Sequence, residues 1–293
     1  MNSRSDLNEL GILIPVYFGH LDRLHSLLKN IQKLKDPTVK KQIYLIFKDQ
    51  NDLKKCVEKV PRLRLIFDDT QMLNFSNILM DAGYKNINLF SGNIINAKKF
   101  AGLTHLFEKL SLKSVTVLDS DVKFDKNFCL SKFYESMLEN RRKKVIIGSL
   151  VTNEFERKVL AECDEMLGIT AKTQFYPWYF FPPHYERQDY VEFCRHMESL
   201  HGSHWLTRLN WFTFDHLLFV IYFLEFKKHT QEGYQIKKNP ELLTEIEREV
   251  ICKNNLLQNV WVRSNLLDEL KSTIRGRDTM IRFHTDRKFK LLK

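Results

Sequence analysis

The chain has 293 residues, 43% of them hydrophobic and 12% aromatic, which is enough to bury a large core and too apolar for a disordered polypeptide. A formal net charge of +10 favours an acidic partner, whether nucleic acid, anionic lipid or a phosphorylated substrate, without choosing among them. Seven Pro and ten Gly with no Ser/Gly-rich run leave no linker, so residues 1–293 read as a single domain. The five cysteines at 56, 129, 163, 194 and 252 are widely spaced, odd in number and free of any C-x-x-C pair, the usage of reduced thiols in a cytoplasmic protein. The first residues lack the apolar stretch of a signal peptide. The longest apolar run, Phe212 to Phe226, carries Asp215, His216 and Glu225 and reads as a core helix rather than a membrane span.

Leu10 to Val16 reads as a first strand that opens at Pro15 into the loop Tyr17–His20. Leu21, Leu24, Leu27, Leu28, Ile31 and Leu34 keep helical spacing until Asp36-Pro37 stops it. Gln42 to Phe47 is a second strand, ending in the polar cluster Lys48–Asp52, where an open α/β sheet binds its ligands. A short helix to Val60, a strand at Leu63–Phe67, a helix at Met72–Gly83 and a strand at Ile87–Phe90 follow. Asn93 to Leu110 is a long helix, with Leu103, Leu106, Phe107 and Leu110 on one side and Lys98 and Lys99 among the remaining positions. It delivers the chain to Val115-Thr-Val-Leu-Asp119-Ser-Asp121-Val-Lys-Phe124, a buried strand ending in two carboxylates. This alternation predicts a doubly wound α/β domain.

Beyond it come a helix near Asn127–Glu139, a strand at Lys144–Gly148, and the aromatic, proline-rich segment Phe175–Tyr185, which suits either a plug over the core or a platform for sugar rings. Helices at Glu186–Leu200, Phe212–Lys228 and Pro240–Leu257 and an extended segment at Met280–Asp286 complete the chain. The basic clusters Arg141–Lys144 and Arg287–Lys290 read as solvated faces or as a patch for peripheral contact with a membrane.

Side chains alternate along an extended segment, so Asp119 and Asp121 point the same way and offer oxygen ligands to a hard divalent cation. Two surface aspartates ending a strand is the plain alternative. Together with Ile12-Leu-Ile-Pro-Val-Tyr17, this segment resembles the aspartate-x-aspartate motif of GT-A glycosyltransferases, which take a sugar from a nucleotide-diphosphate donor. The resemblance is strongest over residues 10–150. It implies a GT-A fold, a Rossmann-like central mixed sheet flanked by helices. Residues 10–150 would form the nucleotide-sugar-binding half and residues 151–293 the acceptor-binding half with a helical C-terminal elaboration.

The resemblance further implies Mn²⁺ or Mg²⁺ at Asp119 and Asp121, with His284 in Arg282-Phe-His284 returning as a third ligand and Asp119 also reaching the donor. Lys98 or Lys99 would reach the donor's phosphates or sugar, and Pro15, Tyr17 and Asp49 would hold the base. The implied donor is a UDP-sugar and the implied acceptor a glycan, glycolipid or glycoprotein. Asp49 lies in Lys48-Asp-Gln-Asn-Asp52, which departs from the Ser- and Gly-rich segment usual in the family. An inverting transferase needs a carboxylate to take the acceptor's proton, and Asp215, Asp189 and Glu186 are the candidates. Helix capping is a second use for Asp215, which stands among apolar residues at a helix start.

Two other readings compete. A haloacid dehalogenase-type phosphohydrolase also places D-x-D at a strand end, but on its first strand and followed two residues later by Thr or Val, where this chain has Lys123. A basic nucleic-acid-binding protein without catalysis fits the charge and the aromatic content, yet no nucleic-acid module is recognisable and none is expected to bind.

Overall fold

Strand β1 (Leu10–Pro15) and strand β2 (Ile43–Phe47) are buried along their whole length, as strands covered on both faces must be. In the computed structural model the described residues are 9–85, 90, 94–120, 122–124, 128–131, 133–135, 145–147, 149–151, 154–170, 175–176, 184–226, 235–237 and 281–282. Strand β3 (Met72–Asn74) and strand β4 (Ser114–Val117) extend the sheet, with β1–β2, β2–β3 and β1–β4 all parallel. Strand β9 (His184–Glu186) closes it antiparallel to β4, giving the order β3-β2-β1-β4-β9. The mixed sheet flanked by helices agrees with the fold class expected from the sequence.

Alternation along β1 assigns its side chains to two cores. Ile12 and Ile14 face one core together with Leu24, Leu27, Leu28 and Ile31 of helix α1 (Leu21–Gln32). Each of these helical side chains is at most 1% exposed and contributes about 1.5–3 kcal/mol of burial. Next in the chain is the one-turn helix α2 (Pro37–Lys41), with Asp36 accepting a hydrogen bond from Thr38 N at its start. Helices α3 (Gln50–Lys59) and α4 (Leu63–Ile66) add Leu53, Cys56 and Leu63 to the first core. Leu13 turns to the opposite face. There it joins a second core to which helix α5 (Phe75–Asp81), helix α6 (Ile94–Glu108), helix α7 (Glu154–Leu167), helix α8 (Arg187–His201) and helix α9 (Asp215–Phe226) contribute. Gly102 lets α6 press on β1, since a Cβ there would stand 2.7 Å from Leu13 Cδ2.

Several expectations are corrected. Leu63–Phe67 is helical to Ile66 rather than a strand: Leu63 and Phe67 are buried four residues apart while Leu65 is 80% exposed. Met72–Asn74 is strand rather than helix, and the helix begins only at Phe75, where the Asn74 side chain accepts from Asn77 N at 3.1 Å. Among the described residues the strand that leads to Asp119 is the fourth. Helix α7 was not anticipated, although Val159, Leu160, Cys163, Met166 and Leu167 keep helical spacing. Most of Ile87–Phe90 and Phe175–Tyr185, part of Asn127–Glu139, and all of Pro240–Leu257, Arg141–Lys144 and Arg287–Lys290 lie outside the described residues.

Short pairs complete the topology. Strand β5 (Val122–Lys123) pairs antiparallel with strand β11 (Ile281–Arg282), β6 (Val145–Ile147) pairs parallel with β10 (Gln235–Lys237), and β7 (Ser149–Leu150) pairs antiparallel with β8 (Phe175–Tyr176). Among the described residues no helix is long and apolar enough to cross a membrane, and Cys56, Cys129, Cys163 and Cys194 are free thiols.

The segment after the motif is tied to α1 by one side chain. Asn30 Nδ2 donates to Phe124 O at 2.7 Å and Asn30 Oδ1 accepts from Phe124 N at 2.6 Å, an amide replacing a missing strand partner. Asn30→Ala leaves both backbone groups unsatisfied and is expected to lower stability in urea unfolding by about 1–3 kcal/mol. A loss below about 0.5 kcal/mol would show that this anchor holds nothing.

Candidate functional site

The sheet's order creates the site. From β1 the chain moves outward one way to β2 and β3, then returns to place β4 on β1's other side, so a crevice opens at the carboxyl ends of β1 and β4. β1 ends in buried Pro15 and half-buried Tyr17, and β4 runs through Leu118 to Asp119, whose side chain is 31% exposed. Tyr17 lies close enough to Asp119 and Asp52 that their charges, after burial, raise its phenol well above the usual range.

Helix α6 passes beneath this crevice and is buried along most of its length, its two lysines included. Lys98 is fully buried, its Nζ donating to Val16 O at 2.6 Å and standing 4.3 Å from the Tyr17 ring centroid. Burial pushes its ammonium down to about 7, against the pull of Asp52, Cys56 and Asp49. Lys99, about 100° further round the helix, reaches a different pair of groups. Its Nζ is 3.1 Å from Asp119 Oδ1 and 3.0 Å from Asp215 Oδ1.

Asp215 is the first residue of α9 and only 1% exposed. Tyr185, fully buried on β9, donates its hydroxyl to Asp215 Oδ2 at 3.1 Å, and His216 Nδ1 stands 3.9 Å from Asp215 Oδ1. Burial alone would raise this carboxyl, but Lys99 and His216 together hold it well below the usual carboxylate range. The unfavourable burial of a charge at a helix start is thus offset by an ammonium, a hydroxyl and the helix dipole.

The structure brings Tyr17, Lys98, Lys99, Asp119 and Asp215 to one corner, with Pro15 at its floor. Asp49 stands at the end of β2 and caps α3 through Oδ1, which accepts from Asp52 N at 2.7 Å. Glu186 and Asp189 are placed elsewhere. Glu186 pairs in register with Ser114, at the amino end of β4, where its Oε1 is 3.1 Å from His184 Nε2. Asp189 lies in the first turn of α8, just after Arg187 N donates to Lys113 O at 2.8 Å. Five residues of strand, about 16 Å, separate that end of β4 from Asp119. Sequence reasoning missed His216 and gave Tyr185 no role of its own; a histidine directly after a buried aspartate was the available signal.

Asp121 and His284 lie outside the described residues, as does the tip of the aromatic segment. The pairing of Arg282 with Val122 and of Ile281 with Lys123 carries the late part of the chain to the strand that follows the motif. Among the described residues no three His, Cys, Asp or Glu side chains converge as a metal site. A partly exposed carboxylate at a strand end has the oxygen chemistry that Mn²⁺ or Mg²⁺ prefers, so Asp119 fits such an ion, with the Lys99 ammonium as its competitor.

No family model matches the chain, and no curated protein matches it either. Among solved structures it is similar to mouse xyloside xylosyltransferase 1 in its apo form, at 9% identity and a TM-score of 0.40 over 94% of this chain and 98% of that one. It is also similar to residues 1–349 of S. aureus TarS, at 11% identity and a TM-score of 0.35 over 90% of this chain and 69% of that one. A structure of the same TarS fragment in complex with UDP aligns at 11% identity and a TM-score of 0.30, over 89% and 69% of the two chains.

Two stability measurements check the site's electrostatics. Removing one partner of a buried ion pair strands the other, so Asp215→Asn is expected to cost about 3 kcal/mol at pH 7. Because the folded Asp215 carboxyl is depressed, its contribution is fully present above about pH 4 and fades below it, so wild type and variant should converge in acid. Equal stability at pH 7 would contradict the pairing. For Lys98 the sign is opposite. Unfolded lysine holds its proton to about 10.5 and the folded one releases it near 7, so stability should rise between these pH values by up to about 1.4 kcal/mol per unit. Lys98→Met should flatten that rise in urea unfolding at pH 7 and pH 9, and parallel curves for the two proteins would contradict a lysine that releases its proton near 7 in the folded state.

Proposed function

We propose that the protein is a glycosyltransferase that moves a sugar from a nucleotide-diphosphate donor to a glycan, glycolipid or glycoprotein acceptor. The observation that carries this reading is the crevice between β1 and β4, where a carboxylate, two buried lysines and an aromatic ring meet at the sheet's switch point. A diphosphate needs positive charge, and a nucleoside needs a flat apolar surface with a polar edge. The corner offers both.

In this reading Tyr17 and Pro15 face the base, a UDP-sugar being the first candidate, and Asp49 offers an acceptor to a base N–H. Lys98 holds the Val16 carbonyl and so fixes the loop on which Tyr17 sits. Lys99 presents its charge to the donor's phosphates while Asp215 and Tyr185 keep it aimed. A buried carboxylate with a depressed pKa is a poor proton acceptor, so Asp215 serves better as the positioning group for Lys99 than as the base that takes the acceptor's proton. Asp189 and Glu186, at the far end of β4, are not placed for that task. Asp119 would hold Mn²⁺ or Mg²⁺ with Asp121 and His284. When bound, the ion would neutralise charge on the departing diphosphate.

A thermal-shift panel of UDP-, GDP- and CMP-sugars, with and without Mn²⁺, tests the reading. One nucleotide class should raise the melting temperature in the presence of metal, and Asp119→Asn should weaken that ligand at least tenfold. A panel in which none of the sugar nucleotides shifts the transition would reject the reading.

A further inference from the structure

The loop that leads into Asp215 carries an exposed aromatic surface that the donor site does not use. Trp211 is 58% exposed and Phe155, at the start of α7, is 43% exposed. Rings continue inward from there. Phe155 lies 6.1 Å from Phe212 and 6.4 Å from Phe214, and Phe214 stacks on His216 at 6.1 Å with an interplanar angle of 18°. His216 in turn stands 3.9 Å from Asp215 Oδ1, so a continuous series of rings joins the surface to the corner that holds Lys99 and Asp119.

The surface is built rather than incidental. Asn210 N donates to Thr213 Oγ1 at 2.7 Å, Phe212 N donates to Asn210 Oδ1 at 2.8 Å, and Asn210 Nδ2 donates to Glu162 Oε2 of α7 at 2.6 Å. These bonds fix a turn with a tryptophan at its tip, an arrangement that exposes a large ring at little further entropic loss. Clustered exposed rings mark a recognition surface. Polar groups are interleaved with them: Lys158 Nζ lies 4.2 Å over the Phe212 ring, and the Asn210–Glu162 pair borders it. The surface thus sets an ammonium and a carboxylate beside apolar rings. A pyranose satisfies both, since its C–H faces rest on the negative face of an aromatic ring while its hydroxyls reach the polar rim.

We propose that the surface formed by Trp211, Phe155, Phe212 and Phe214, ending at His216, binds the sugar rings of a carbohydrate acceptor. Trp211 is four residues from Asp215, which places its backbone within about 14 Å of that residue's. The assignment of these rings to an acceptor rests on the transferase reading; their binding of carbohydrate does not.

The test is binding of labelled protein to an array of defined oligosaccharides, with a nucleotide-sugar thermal shift recorded on the same samples. Wild type should retain a subset of the glycans. Trp211→Ala and Phe155→Ala should each weaken retention at least tenfold at an unchanged melting temperature, and Trp211→Phe, which keeps a ring, should stay within about threefold of wild type. Leu65→Ala, at an apolar side chain 80% exposed on α4, should bind as wild type. Failure of wild type to retain any oligosaccharide overturns the proposal, as does equal retention by Trp211→Ala or an equal loss in Leu65→Ala. Glycan retention without any nucleotide-sugar shift would support the platform and reject the transferase reading instead.

Discussion

An ammonium group buried between two carboxylates is the feature on which the candidate site depends. Lys99 emerges from a helix whose surroundings are apolar, and its Nζ touches Asp119 on one side and Asp215 on the other. Such a group is costly to bury alone and is tolerated only where opposite charge and hydrogen bonds surround it. Here the opposite charges come from distant parts of the chain, the end of β4 and the start of α9, and the Tyr185 hydroxyl on β9 bonds the second of them, Asp215. The interaction therefore ties the nucleotide-binding half expected at residues 10–150 to the later helices. It also sets the Lys99 ammonium against the partly exposed Asp119 at the crevice.

Lys98 complements it. Adjacent residues on a helix point in different directions, and α6 uses that geometry to send one lysine to the β1 loop and the next to the β4 end. The first steadies the backbone on which Tyr17 sits and the second carries the charge. Both lie at the switch point of the sheet, so fold and electrostatics converge on one corner.

Much of the scaffold was legible. The buried strands at Leu10–Pro15 and Ile43–Phe47, helix α1 and the carboxylate-ended strand follow from apolar runs and helical spacing. The short elements did not: Leu63–Ile66 contains four apolar or basic residues that fit either period, and only the packing of Leu63 and Phe67 on one core selects the helix. Asn74 looked like a helix interior residue because its capping role depends on where the backbone turns. At the site, Asp119 and Asp215 stood out, one by motif and the other by its apolar neighbours. Lys99 was a candidate too, but its pairing with both was not legible, because Lys99 lies 116 residues from Asp215 and spacing along a sequence carries no information at that range. Glu186 was drawn in by its nearness to the aromatic segment, whereas the antiparallel register of β9 sends it to the end of β4 opposite Asp119.

The central claim is that the ammonium of Lys99 and the carboxylate of Asp119 form the receiving corner for a sugar nucleotide's diphosphate. A crystal structure of the protein with a non-hydrolysable UDP-sugar analogue and Mn²⁺ tests this most directly. The account predicts the two phosphates in the crevice between Tyr17 and Asp119, with a phosphate oxygen within hydrogen-bond distance of Lys99 Nζ. A nucleotide bound on another face, or a corner in which Lys99 and Asp119 remain sealed against each other while the ligand binds elsewhere, would contradict it.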